Sequence, residues 1–79
     1  MTEQVPLCSS KKALKAFKRL GFRETGHKRG SHTMLERRHD DGRVDAIPFL
    51  LGKKEINRFT LKGMLDQGNV DVRDFNDAL

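Results

Sequence analysis

One tripeptide in the chain carries the side chain best suited to acid and base chemistry. Gly30-Ser31-His32 places an imidazole at the start of a candidate strand, directly after the basic residues Lys28 and Arg29. Unperturbed imidazole titrates at about pH 6.5 and can therefore move protons at neutral pH. Beside a phosphodiester it can take the proton of a ribose 2′-hydroxyl or give one to the departing 5′-oxygen. Nearby cations would stabilise the charge on the phosphate oxygens, so the pattern indicates metal-independent cleavage of RNA.

Cleavage of this kind needs two proton carriers, and only His32 is evident. His27, Lys28 or the surroundings of the substrate remain candidates for the second. From local sequence alone, His32 is also compatible with a purely structural histidine that is hydrogen-bonded at a strand end. Four residues separate His27 from His32 and six separate His32 from His39, which matches no zinc pattern. We therefore expect neither a metal site nor a cofactor.

Composition predicts a small globular protein, and its charge is compatible both with binding to a polyanion and with ordinary solvated helix and strand faces. The 79 residues carry a net charge of +5 and make one domain, residues 1–79. Residues 11–38 alone have a charge of +8, as expected for a surface that binds nucleic acid. The single cysteine, Cys8, is expected to be a small buried hydrophobe, and no basic leader opens the chain. No apolar run approaches the roughly 20 residues of a membrane span, so a cytoplasmic protein is expected.

Apolar periodicity predicts three helices. The first begins at Ser9-Ser10 and ends at Gly21, and the second ends at Gly68-Asn69. A short third helix begins after Asp71, which can cap its first turn. The buried stripes of the three helices are formed by Ala13, Leu14, Phe17 and Leu20, by Leu61, Met64 and Leu65, and by Val72, Phe75 and Leu79.

Three strands are predicted between the first two helices. They cover residues 22–28, 31–38 and 44–49, and Asp41-Gly42 forms the hairpin turn before the last of them. Pro48 either ends the third strand or places it at a sheet edge. The economical arrangement is an α+β fold in which both main helices cover one face of a three-stranded antiparallel sheet. The other face is left to solvent or to a partner.

The whole pattern resembles the HicA-type toxins, which are the mRNA-cleaving halves of toxin-antitoxin pairs. The order and spacing of the shared residues over roughly 70 positions carry the resemblance. These residues are Leu7, Ser9, Ser10, Leu20-Gly21-Phe22, Gly30-Ser31-His32, Asp41-Gly42-Arg43, Ile47-Pro48, Gly52, Lys53, Glu55-Ile56, Thr60-Leu61, Met64-Leu65 and the segment 72–79 with Phe75.

The resemblance implies a double-stranded-RNA-binding-domain-like fold, α-β-β-β-α, with a short extra C-terminal helix here. It implies that His32 is the catalytic residue of an endoribonuclease that cleaves single-stranded mRNA and inhibits translation. It also implies a HicB-type antitoxin that covers the active surface. The candidate RNA contacts are Lys28, Arg29, Ser31, Lys53 and Lys54.

Three departures from the family pattern bear on activity. Many members carry a second histidine after the strand-three proline, where this chain has Phe49-Leu50-Leu51. Phe59 replaces a small residue before the second helix, and His27 replaces a basic one. Two other functions therefore stay open. The first is an RNA-binding module that does not cut. The second is an inactive partner that docks another protein through Phe49, Leu50, Leu51 and Phe59, of which at least two are expected to fill the core instead.

Overall fold

The computed structural model describes residues 4–26 and 30–79 and shows three helices and three strands in the order α-β-β-β-α-α. This order confirms the predicted α+β, double-stranded-RNA-binding-domain-like fold. The elements are α1 (Ser10–Arg19), β1 (Arg23–Glu24), β2 (His32–Arg38), β3 (Val44–Leu50), α2 (Arg58–Gln67) and α3 (Val72–Ala78).

Polar side chains begin all three helices. Ser9 caps α1 by accepting a hydrogen bond from the Lys12 amide, and Asp71 caps α3 in the same way, as the sequence predicts. Asn57 caps α2 by accepting from the Phe59 amide at 2.8 Å. Each cap satisfies an amide that has no carbonyl partner within its own helix.

The sheet is antiparallel in the order β1-β2-β3, with β2 in the centre. Among the described residues β1 is only two residues long, which is shorter than the predicted strand. Pro48 does not end β3, which continues to Leu50, and it pairs with Met34 on the central strand. Since β3 is an edge strand, one side of its backbone needs no ladder partner, and a residue without an amide N–H fits there. The alternative in which Pro48 marks a sheet edge was therefore the correct one.

Burial alternates along β2 and β3, so one face of the sheet is covered and the other is open. On the covered face lie Leu35, Ile47 and Phe49, all fully buried. Phe17 of α1 is the centre of this core. Its ring lies 5.6 Å from Phe22, 6.0 Å from Phe49 and 5.0 Å from Phe75, measured between ring centroids. One side chain thereby joins α1 to the sheet and to α3.

A polar cluster connects the sheet to the ends of two helices, and we call it the Arg37–Asp45 cluster. Arg37 of β2 and Asp45 of β3 are directly opposite in the register, and Nη2 of Arg37 lies 2.9 Å from Oδ2 of Asp45. The same guanidinium donates to the carbonyls of Leu20, at 3.4 Å, and Gly68, at 3.1 Å. Asn69 donates to the other oxygen of Asp45 at 2.8 Å. The cluster thus pairs a mostly buried carboxylate and satisfies carbonyls at the C-terminal ends of α1 and α2.

Gly68 lets the end of α2 approach the sheet closely. A β-carbon at this position would lie 2.5 Å from Cδ1 of Ile47 and 3.1 Å from Cζ of Phe22. Both of these side chains are buried in the core, so neither can move away freely. The glycine is required here for lack of space, since its φ of −86° is open to any residue.

Candidate functional site

His32 lies exposed at the first position of β2. It pairs with Leu50, the last residue of β3, and the two residues share the open face of the sheet. Gly30 precedes it with a φ of 57°, a left-handed conformation that glycine adopts without strain. The Leu51 amide donates to the Ser31 carbonyl at 2.6 Å and extends the pairing of the two chains by one residue. Within residues 4–26 and 30–79, no hydrogen bond or ion pair occupies the imidazole of His32.

Beside this end of the sheet lies an open groove of about 500 Å³ between the first turn of α1 and the loop that follows β3. We call it the basic groove. Its rim carries Lys53 and Lys54, both predicted as RNA contacts, and also Lys11 of α1. Leu14 and Leu51, both packed against the core, form its apolar part. None of the three ammonium groups has an ion-pair partner in the described part of the chain, so their charge is available to a ligand.

Ser10 connects the two walls of the basic groove. Its side chain is almost fully buried, and its hydroxyl donates to the Leu50 carbonyl at 2.7 Å and accepts from the Lys53 amide at 3.0 Å. The Ser10 amide donates to the Lys53 carbonyl at 2.9 Å. Three hydrogen bonds therefore hold the loop that carries Lys53 against α1, next to the residue that pairs with His32.

His39 is far from this end of the sheet. It follows β2 and its Nε2 lies 2.7 Å from Oδ2 of Asp45, within the Arg37–Asp45 cluster. His39 lies seven positions after His32, which corresponds to about 23 Å at about 3.3 Å per residue of extended chain. His39 therefore cannot act on the same phosphate as His32.

The remaining predicted residues divide into two groups. Lys28 and Arg29, predicted as RNA contacts, and His27, a candidate proton carrier, lie outside the described residues. Cys8 is buried in the core, where burial raises the pKa of its thiol and opposes a role as nucleophile. Across residues 4–26 and 30–79, no group of three His, Cys, Asp or Glu side chains is arranged to hold a metal ion.

The four apolar residues considered as a docking patch do not form one exposed surface. Phe49 is fully buried and Leu50 and Leu51 are partly buried against the core. Phe59, in contrast, has 90% of its surface exposed at the start of α2. The sequence predicts that at least two of the four fill the core. Phe59 is the exposed residue of the four, and its ring is accessible to another protein.

Sequence reasoning did not assign Lys11 and Ser10 to the site. In the sequence, Lys11 contributes only to the charge of residues 11–38, and Ser10 only to the start of the first helix and to the family resemblance. Their roles depend on packing of the first turn of α1 against the loop after β3, which no local pattern reveals. The signal that was present is the sequence Ser9-Ser10-Lys11, because two serines at a helix start leave one hydroxyl for a partner other than the helix.

Fold and site together define a class of protein: a double-stranded-RNA-binding-domain-like α+β domain with an exposed histidine and several lysines at one end of its sheet. A protein-family model described as the HicA toxin of bacterial toxin-antitoxin systems matches residues 10–70 of the chain. The protein belongs to this family and is a toxin of a toxin-antitoxin system, which implies an antitoxin partner. A comparison with curated proteins finds no significant match. None of the helices in the described residues is long and apolar enough to cross a membrane.

Proposed function

We propose that the protein is a metal-independent endoribonuclease that cleaves single-stranded mRNA, with His32 as general acid or base, and so inhibits translation. The observation that carries the proposal is the exposed imidazole of His32 beside the basic groove. In the described part of the chain the imidazole of His32 has no hydrogen-bond or ion-pair partner, so it can exchange protons with a substrate. Lys53 and Lys54 supply the positive charge that a phosphodiester requires.

In this mechanism the ribose 2′-oxygen loses its proton and attacks the adjacent phosphorus. The bond from phosphorus to the 5′-oxygen breaks, and that oxygen takes up a proton. The products are a 2′,3′-cyclic phosphate and a free 5′-hydroxyl. His32 carries one of the two protons, and Lys53 and Lys54 stabilise the negative charge on the phosphate oxygens. Ser31, Lys28 and Arg29 are proposed as further contacts to the RNA.

Many relatives have a second histidine that could carry the second proton, and this chain lacks a histidine at that position. His39 is excluded by its distance, and Phe49-Leu50-Leu51 occupies the segment where relatives have another histidine. His27, Lys28 and the surroundings of the substrate, including solvent, remain. We propose solvent, which makes the rate depend on a single histidine.

The test compares cleavage of a single-stranded RNA by the wild-type protein and by His32→Ala, in buffer with a chelator and no divalent metal. We expect the variant to lose about 10² to 10⁴-fold in rate. His27→Ala is the matched control, because it removes an imidazole from the same basic segment, and it should retain the wild-type rate. A substrate with 2′-deoxyribose at the cleaved position should stay intact, because it lacks the attacking oxygen.

The outcomes separate the alternative functions. Equal cleavage by the wild type and His32→Ala would remove His32 from the mechanism. Intact RNA after long incubation, together with salt-dependent binding, would favour a module that binds RNA without cutting it. A loss of rate in His27→Ala as large as in His32→Ala would make His27 the second proton carrier.

We also propose that the antitoxin partner is of the HicB type and covers the surface around His32. Family membership supports a partner antitoxin. Expression of the toxin alone should arrest growth, and co-expression with the protein encoded in the neighbouring reading frame should relieve the arrest. Arrest that persists although both proteins are present would exclude that neighbour as the antitoxin.

A further inference from the structure

We infer that the basic groove is a binding subsite for one nucleotide of single-stranded RNA, next to the phosphate at His32. The inference rests on the proposed ribonuclease function and adds to it a place for the substrate. It also adds one residue, Lys11, which the sequence did not assign.

The composition of the groove fits a nucleotide. Leu14 and Leu51 offer an apolar surface to a nucleobase, and Lys11, Lys53 and Lys54 line the same groove. A base with its phosphate has this combination of one apolar face and adjacent negative charge. The volume of about 500 Å³ lies within the range of sites for small organic ligands.

The groove lies at the same end of the sheet as His32. Leu51, in its apolar part, donates through its amide to the carbonyl of Ser31, which directly precedes His32. Leu50, one residue earlier, is the register partner of His32, and paired Cα atoms in an antiparallel sheet lie about 4.5 to 5.5 Å apart. Lys53 is three residues beyond Leu50, so its Cα lies at most about 11 Å from that of Leu50. A strand of RNA with a phosphate at His32 therefore needs to extend by only a short distance to enter the groove.

The walls of the groove are held before any ligand arrives. The hydroxyl of Ser10, almost fully buried, bridges the Leu50 carbonyl and the Lys53 amide, and the Ser10 amide donates to the Lys53 carbonyl. Binding to a site that is already formed causes little loss of conformational entropy in the protein. This distinguishes the groove from a chance cluster of mobile surface lysines.

The test measures RNA binding in the His32→Ala background, in which the substrate remains intact. The probe is a fluorescently labelled single-stranded RNA of six nucleotides, and the dissociation constant is determined at several salt concentrations. Each lost phosphate contact lowers the slope of the logarithm of affinity against the logarithm of salt by about 0.7 for a single strand. We expect Lys11→Ala to show this decrease.

Lys18→Ala is the matched control. Lys18 is an exposed lysine on the same helix, seven residues and about 10 Å further along its axis, and it does not line the groove. Lys18→Ala removes the same charge as Lys11→Ala, so the two variants have a similar long-range electrostatic effect. Because Lys18 does not line the groove, the salt slope of Lys18→Ala should equal that of the His32→Ala protein. Equal slopes for the two lysine variants would overturn the inference.

A second measurement locates the RNA directly. Titration with the same RNA should shift the backbone amide resonances of Leu51, Gly52 and Lys53 in the ¹⁵N spectrum. Shifts confined to the open sheet face near Arg23 and Arg38, which line a separate polar depression, would also overturn the inference.

Failure of the subsite and failure of the proposed chemistry are distinguishable. If the wild type does not cut RNA but Lys11→Ala alone lowers the salt slope, the subsite stands and the ribonuclease mechanism fails. If the wild type cuts RNA but the two lysine variants behave alike, the mechanism stands and the subsite fails.

Discussion

Replacement of Asp45 by asparagine should destabilise the protein in a manner that depends on pH. Asp45 accepts hydrogen bonds from Asn69, from His39 and from two nitrogens of Arg37, over distances of 2.7 to 3.2 Å. The hydrogen bonds from Asn69 and His39, assisted by Arg37, hold the pKa of the Asp45 carboxyl well below its usual range, although burial opposes them. Asparagine keeps the shape of the side chain but removes its charge.

The expected loss of unfolding free energy depends on Arg37, the charged partner that remains in the variant. Removal of one partner from a fully buried ion pair costs about 3 to 5 kcal/mol. The Arg37 side chain is 22% exposed and keeps its hydrogen bonds to the carbonyls of Leu20 and Gly68, so it is partly solvated and partly paired. We therefore expect Asp45→Asn to lose about 2 to 3 kcal/mol of unfolding free energy at neutral pH, somewhat below the fully buried case.

The sign of the pH dependence is determined by the direction of the pKa shift. An aspartate in the unfolded chain titrates at about pH 3.9, and Asp45 in the folded protein titrates lower. Its contribution to stability is therefore complete above about pH 4 and is lost as the pH falls toward the folded pKa. Asp45→Asn does not ionise, so the difference in stability between wild type and variant should shrink as the pH falls below about 4.

The assay is urea unfolding followed by circular dichroism at a series of pH values. The variant is compared with the wild type at each pH, so contributions from other carboxylates cancel. Asp66→Asn is the control, because Asp66 forms an exposed pair with Lys62 one helical turn away and such pairs contribute about 0.3 to 0.5 kcal/mol. A difference between wild type and Asp45→Asn that is the same at pH 2.5 and pH 7 would refute the assignment of the stability to this carboxylate.

Two further predictions concern the packing of the core. Phe17→Ala should lower the unfolding free energy by about 3 to 5 kcal/mol, because it removes the ring that contacts three other phenylalanines, and urea unfolding will measure the loss. A loss below about 1 kcal/mol would contradict the central position of Phe17. Gly68→Ala should cost about 1 to 3 kcal/mol, because the added methyl group overlaps Ile47. Gly63→Ala, on the same helix with nothing within 4 Å of the new atom, should instead be neutral or stabilising, and equal melting temperatures of the two variants would contradict the role of close packing.

The sequence was most informative where local pattern and tertiary structure agree. Apolar stripes predicted all three helices, because an amphipathic helix has one face to bury. Polar caps predicted the starts of the first and third, because the first amides of a helix need partners, whereas the cap Asn57 of α2 was not predicted. The short alternating strands β2 and β3 were predicted for the same kind of reason. Residues 22–28 were the exception. Within the described part of that range only Arg23–Glu24 pairs as a strand, while Phe22 packs into the core beneath the guanidinium of Arg37.

The relations that could not be predicted depend on register. Arg37 and Asp45 are eight positions apart in the chain and meet only because β2 and β3 pair in this register. A shift by one residue would place them on opposite faces. The basic groove has the same origin, since Lys11 and Lys53 are 42 positions apart and meet through the hydrogen bonds of Ser10. His32 could be singled out from the sequence because a short motif surrounds it, whereas its surroundings required the fold.

The residues that stabilise the fold are separate from His32, and this separation has a consequence for the evolution of the gene. The Arg37–Asp45 cluster and Gly68 stabilise the fold from the end remote from His32, and none of them contributes to the exposed imidazole. If His32 is the catalytic residue, as proposed above, a mutation that removes it abolishes toxicity while the folded surface persists. Such a silent copy would still bind the antitoxin and lower its free concentration. In a cell that has both an active and a silenced copy, part of the antitoxin would be bound to the silenced protein. The active toxin would then become free at a higher total level of antitoxin than in a cell with the active copy alone.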